Sequence, residues 1–272
     1  MSAILHRFRV MYAVALVTYK EWFAYRTHSL VSAFVGPAYF LVQVSIWRVV
    51  YRSTGSINGM SLDDMIAYYA ITTLISFLTS DSADWNLQML IRTGKYLTFA
   101  LRPLHHRFFA LSQKVGHRVL GFFFEFLPVL VIFVVFFGMR PAPAHWGYFV
   151  MSTALSYLMV FYINYTIGIA GFWLVKTQGL RSVIHIISQI CSGMLFPLLL
   201  LPEGLQRIVF FLPFQYTTYV TSMVYTGSYS LGVFSMDIRQ IVCIQAAYVL
   251  FFHVLSEILY RAGMKRFTAV GA

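Results

Sequence analysis

Residues 116–138 read GHRVLGFFFEFLPVLVIFVVFFG, an apolar run in which Glu125 is the only acid and Arg118 the only arginine. A stretch of about 20 apolar residues is what an α-helix needs to cross roughly 30 Å of hydrocarbon. Comparable blocks occur at about 29–51, 65–84, 147–174, 183–201 and 239–260, so the sequence predicts six transmembrane helices. The first block contains Gly36 and Pro37, which transmembrane helices tolerate and which predict a kink.

Composition agrees with this reading. The chain is 59% hydrophobic and 18% aromatic, with a mean hydropathy of +0.72. Only 11% of its residues are charged, against about 25% in soluble domains. The expected class is an all-α integral membrane protein. Residues 1–272 are expected to form a single membrane domain, because no linker, low-complexity tract or internal repeat divides them.

The formal charge of +11 would suggest a nucleic-acid partner in a soluble protein. In a membrane protein the simpler account is the excess of Lys and Arg in cytoplasmic loops, and no nucleic-acid partner is expected. With the N-terminus inside, fifteen Lys and Arg fall on the cytoplasmic side and five on the other, which places both termini in the cytoplasm. The two cysteines, Cys191 and Cys243, lie in apolar runs and argue against a disulfide framework.

Outside the spans three segments stand out. The N-terminal stretch VMYAVALVTY runs into KEWFAYR without a small-residue cleavage site, so residues 5–26 are expected to form a retained amphipathic helix on the membrane surface. Residues 85–114 form the largest cytoplasmic loop, and its second part, GKYLTFALRPLHHRFFALSQK, mixes Lys95, Arg102, Arg107 and Lys114 with apolar residues. Leu87, Leu90, Ile91, Leu97, Leu101 and Leu104 predict an interrupted helical face, with Gly94 permitting a turn and Pro103 redirecting the chain. Such a helix suits either a groove in a soluble partner or anionic headgroups. The external connection 202–238 is long yet apolar, and Pro202, Gly204 and Pro213 divide it into pieces too short to cross. It is expected to form one or two re-entrant half-helices beside the fifth span.

The chain has no GxxxxGK[ST] phosphate loop, GxGxxG, HExxH, GxSxG or CxxC motif. Uphill transport would therefore need an ion gradient or a separate ATPase. Glu125, His185, His253 and Glu257 are the ionisable residues an ion-coupled carrier would use, and no mid-membrane acid pair is apparent among them. Asp81 and Asp84 close the second span and read as a polar helix end, with no His or Cys nearby to make a metal site. An intramembrane lipid-modifying enzyme using Glu125, His185 or the two aspartates, and a passive channel, remain alternatives.

Taken in order, KEWFAYR after the N-terminal helix, IRTGKYLTFALRPL after span two, SGMLFPLLLLPEGLQRIVFFLPFQY around span five and a basic C-terminus resemble the permease subunits of type-2 ATP-binding-cassette (ABC) exporters. The resemblance implies two permeases, identical or homologous, and two cytosolic ATPase subunits that hold ATP and Mg, with no cofactor or metal on this chain. It implies a multi-pass protein of the bacterial inner membrane moving a hydrophobic or amphiphilic molecule such as a drug, natural product or lipid. The first cytoplasmic loop would supply the coupling helix, a role that falls on Arg92, Gly94, Lys95, Tyr96, Leu97, Leu101, Arg102, Pro103 and Leu104. Tyr19, Lys20, Glu21, Trp22 and Arg26 would lie near the ATPase, and Leu212, Pro213, Phe214 and Tyr216 at the external gate. Glu125, Asn164, Gln189, Phe196 and Tyr216 are the expected path-lining residues, since polar groups in spans prefer protein or water to lipid.

Overall fold

The computed structural model describes residues 2–24, 26–102, 104–139, 142–174 and 176–267, and only the backbone of 2–4, 6, 22–24 and 26–33. Helix α1 (Ser2–Ala24) lies along α6 (His106–Gly121). Gly116 permits this, because a Cβ there would stand 2.6 Å from the carbonyl oxygen of Ala15. The two backbones are in direct contact. Helix α2 (Arg26–Val50) carries Pro37 inside it, and Gly36 leaves room for the Phe77 ring of α3.

Helix α3 (Leu62–Thr79) is the most central element. Ser61 and Asp64 form a reciprocal capping box at its start, and Met65, Tyr68, Tyr69, Leu74 and Ile75 are buried along it. It ends at Thr79, short of the expected boundary at 84, because Ser80 to Ser82 redirect the chain into α4 (Ala83–Arg92). Asp81 accepts a hydrogen bond from the Ala83 amide at 2.7 Å and faces the Lys114 ammonium at 3.7 Å, while Asp84 pairs with Arg181. Each of the two aspartates has its own cation. They form a buried, ion-paired junction at the end of α3.

A short α5 (Tyr96–Ala100) leads to α6, which continues through a π-helical turn (Phe122–Phe126) into α7 (Leu127–Phe137). Pro128 has no N–H for the Phe124 carbonyl and its ring crowds that turn, so the ladder widens just before it. Gly138, at φ +62°, stops the helix. Helix α8 (Trp146–Ile169), extended by a 3₁₀ turn to Phe172, packs lengthwise on α12 (Ile238–Met264). Among the described residues, three helical stretches are long and apolar enough to cross a membrane: His106–Phe137, Trp146–Phe172 and Ile238–Met264.

The block 183–201 is not one continuous helix. Helix α9 (Gln178–Cys191) ends at Gly193, where φ is +77° and the carbonyl accepts a hydrogen bond from Tyr68 Oη at 2.5 Å. Tyr69 Oη bonds the Leu195 carbonyl at 2.8 Å. Two tyrosines of α3 thus satisfy backbone acceptors that a helix would have paired internally. Two short helices come next, α10 (Glu203–Phe211) and α11 (Tyr219–Thr226), with a 3₁₀ turn between them. A two-stranded hairpin, β1 (Tyr229–Leu231) with β2 (Phe234–Met236), then turns at Gly232 and Val233. Gly232 adopts φ +60°, as such a turn requires.

A polar knot holds this end to the bundle. The fully buried Gln245 of α12 donates to the Tyr216 carbonyl at 2.9 Å and to Ser156 Oγ at 3.1 Å, and accepts from Ser152 Oγ at 2.8 Å. Ser152 in turn meets Thr221 Oγ1 at 2.8 Å, so α8, α11 and α12 share one set of hydrogen bonds.

Candidate docking surface and membrane path

The loop between α3 and α6 is built on glycines. Gly168 lets α4 lie against α8, since a Cβ there would be 3.1 Å from Asp84 Cα and from Leu87 Cβ. Gly171 admits Ile91 in the same way. These two small residues serve packing inside the chain. Gly94 then turns the backbone at φ +70° and accepts the Leu97 amide at 3.1 Å.

Tyr96 anchors the short helix beyond that turn. Its side chain is fully buried, its hydroxyl lies 2.5 Å from that of Tyr260, and its ring meets those of Phe99, His106, Phe172 and Phe267. Burial pushes its phenol well above the usual value, so it is neutral at any ordinary pH. With Tyr96 and Phe99 turned inward, the opposite side of α5 faces out: Lys95, Leu97, Leu101 and Arg102 are exposed, with Leu101 at 81%. Arg102 rests over the Phe99 ring at 5.4 Å. Arg92, at the end of α4, is exposed on the same loop, and Leu104 is half-buried. Pro103 lies outside the described residues.

The continuous apolar face expected from Leu87 to Leu104 is therefore split. Leu87 is buried against α8, Leu90 and Ile91 are half-buried, and beyond the Gly94 turn only Leu97 and Leu101 stand exposed. On α1, Tyr19, Lys20 and Glu21 are exposed in the last turns; the side chains of Trp22 and Arg26 lie outside the described set.

Of the expected path residues, the fold brings two together. Glu125, 7% exposed, and Gln189 line one cavity of about 600 Å³ between α2, α3, the π turn and α9, alongside Tyr39, Thr73 and Ser76. Gln189 Nε2 meets His185 Nε2 at 3.0 Å. Asn164 sits elsewhere, donating to the Asp81 carbonyl at 3.1 Å. Tyr216 is fully buried, bonded to the Phe210 carbonyl at 3.0 Å and stacked on Tyr248. Leu212, Pro213, Phe214 and Phe196 are half-buried in the connections.

Arg118, at the start of the expected span 116–138 and not among the expected path residues, also belongs with this site. It donates to the Phe77 carbonyl and lines the Glu125 cavity. It also lines a second, mostly apolar cavity of about 790 Å³ between α3, the π turn and α8. Its spacing of seven from Glu125 places both on one helix face, which is the signal that would have found it.

The family model for "ABC-2 family transporter protein" matches residues 38–271. No curated protein and no solved structure matches the chain. A family match that runs from the second helix to the C-terminal tail covers both the α5 loop and the Glu125 cavity: the chain belongs to the ABC-2 family of transporter proteins.

Proposed function

We propose that this chain is the permease subunit of an ATP-driven exporter, and that a cytosolic ABC ATPase docks on the loop around α5. The observation that carries the reading is the division of that short helix. Tyr96 and Phe99 anchor it to the bundle, while Leu97, Leu101 and Arg102 stand exposed on its other side. An exposed apolar pair rimmed by cations fits a groove on a soluble partner.

The assembly has two permeases, identical or homologous, and two ATPase subunits that hold ATP and Mg. In this reading α2, α3, α6–α7, α8, α12 and α9 with the non-helical stretch that follows it to residue 201 are the six spans, and the segment from α10 to β2 is re-entrant on the external side. The distribution of Lys and Arg supports both termini inside, and the family resemblance supports the bacterial inner membrane. The Glu125–Gln189 cavity is the reading's candidate for the path of a hydrophobic or amphiphilic molecule. Its lining sets apolar Val35, Phe77, Met194 and Leu195 beside the polar Glu125 and Gln189, a mixture that suits an amphiphilic cargo. ATP-driven closure of the partner would act on α5, provided the partner's contacts differ between the two states.

The test is co-purification in mild detergent with the candidate ATPase, comparing wild type with Leu101→Asp and Arg102→Glu. Both side chains are exposed, so both variants are expected to fold. Loss of the ATPase from both, with normal membrane yield, supports the reading. Retention of the ATPase with unchanged hydrolysis would refute it.

A further inference from the structure

Where α1, α6 and α12 meet, a cavity of about 660 Å³ is lined by Arg7, Arg107 and Arg261 together with one acid, Glu257. Glu257 is shared three ways. It lies 3.2 Å from Arg107 Nη2, accepts from Arg261 Nε at 2.7 Å and meets His105 Nε2 at 3.4 Å. Arg107 cannot turn away to water, because its side chain is only 14% exposed and its Nη1 is held by the His253 carbonyl at 2.7 Å and by Ser256 Oγ at 2.9 Å. Burial holds the His105 imidazole below its usual value, against the pull of Glu257, so it adds little charge near neutral pH.

Three guanidinium groups against one carboxylate leave an excess of two positive charges around the cavity. Arg7 and Arg261 are exposed and free to reach an anion there, and Arg107 is fixed beside them as a buried third donor. The position of the cavity narrows the choice. It opens beside the start of α6 and the end of α12, both parts of stretches long enough to cross the membrane, so it sits at the level of the headgroups. The rest of its wall mixes polar Tyr162 and His253 with apolar side chains, Val10, Phe108 and Leu111 among them. A free inorganic anion has no use for the apolar part, whereas the first methylenes of a lipid do.

We propose that this cavity holds the phosphate group of an anionic membrane lipid, clamped by Arg7, Arg107 and Arg261 with its chains leaving along Val10 and Leu111. Planar guanidinium forks match phosphate oxygens in pairs, and basic pockets between helices at the cytoplasmic face favour anionic headgroups. The lipid would bridge α1 to α12. This inference is independent of the ATPase reading and uses none of the residues assigned to it.

The experiment is native mass spectrometry of the purified chain after reconstitution with equal phosphatidylglycerol and phosphatidylcholine. Wild type is expected to retain the anionic lipid preferentially. Arg7→Ala and Arg261→Ala, both at exposed side chains, should each lower that retention about fivefold, and Arg→Lys should recover part of it. Glu257→Gln, which removes the competing carboxylate, should raise retention. Equal retention of both lipids by wild type, or retention unaffected by either alanine variant, overturns the proposal. If inorganic phosphate alone stabilises the protein in phosphatidylcholine and displaces phosphatidylglycerol, the ligand is a soluble phosphate and the lipid assignment fails. Should an alanine variant fold poorly, the wild-type comparison of the two lipids and of free phosphate decides alone.

Discussion

The hydroxyls of Tyr96 and Tyr260 lie 2.5 Å apart, joining two side chains that are 164 positions distant and fixing the α5 loop to the end of α12. Tyr96→Phe keeps the ring contacts and loses that bond. It should cost about 1 kcal/mol, the net worth of one intramolecular hydrogen bond, read as a fall in melting temperature in detergent. Tyr96→Ala empties a fully buried position and should cost about 3–5 kcal/mol, with faster protease cleavage within residues 92–102. Equal behaviour of the two variants would mean that the ring packing contributes nothing.

Gln245→Leu should destabilise more than its modest change of volume suggests. It leaves the Tyr216 carbonyl with only the longer bond from Ser156 Oγ at 3.2 Å and Ser152 Oγ with only Thr221, at about 1 kcal/mol for each hydrogen bond lost. Adding Ser152→Ala to it should recover part of that loss, because a partner that is also removed needs no satisfaction. A double-mutant cycle on detergent melting measures this coupling.

Gly116→Val places two methyl groups where the Ala15 carbonyl already lies, and α1 should separate from α6. Overpacking of this kind costs roughly 1–3 kcal/mol. The expected readout is labelling of a cysteine placed at Thr18, which is 2% exposed in the native fold and should become reactive in the variant.

Glu125→Gln and Gln189→Leu touch the same cavity from two helices, so their effects on transport should not add. Each should change export of a cargo that the path accepts while leaving the basal ATPase activity of the assembled complex intact. Additive effects, measured by efflux from cells, would place the two residues on separate routes.

Much of this architecture could be read from residue order. The apolar block 116–138 became the long α6–α7 unit, and the turn at Gly94 stands where its residue type predicts. What escaped the sequence was each feature decided by distant partners. The block 183–201 has the composition of a span, but Tyr68 and Tyr69 supply the hydrogen bonds that allow it to stop being helical at Cys191. Tyr96 carries no local sign of facing inward, because three of the four rings around it come from other parts of the chain. The hairpin at 229–236 did leave a trace, since Gly232 stands at the centre of YSLGVFSM, a short alternating run. The pairing of Glu125 with Gln189 in one cavity depends on how α9 docks, which no local pattern encodes.

The ring cluster around Tyr96 touches the ends of α8 and α12, and those two helices are knotted to α11 near their other ends by Gln245. Helices α2, α3 and α9, which wall the Glu125 cavity, have no member in that knot. On the proposed reading, a push delivered at α5 would reach α8 and α12 first, and α3 and α9 through their packing on α8 and α4. The cavity lies outside the knotted set, so a small rotation of one group of helices against the other would change its width.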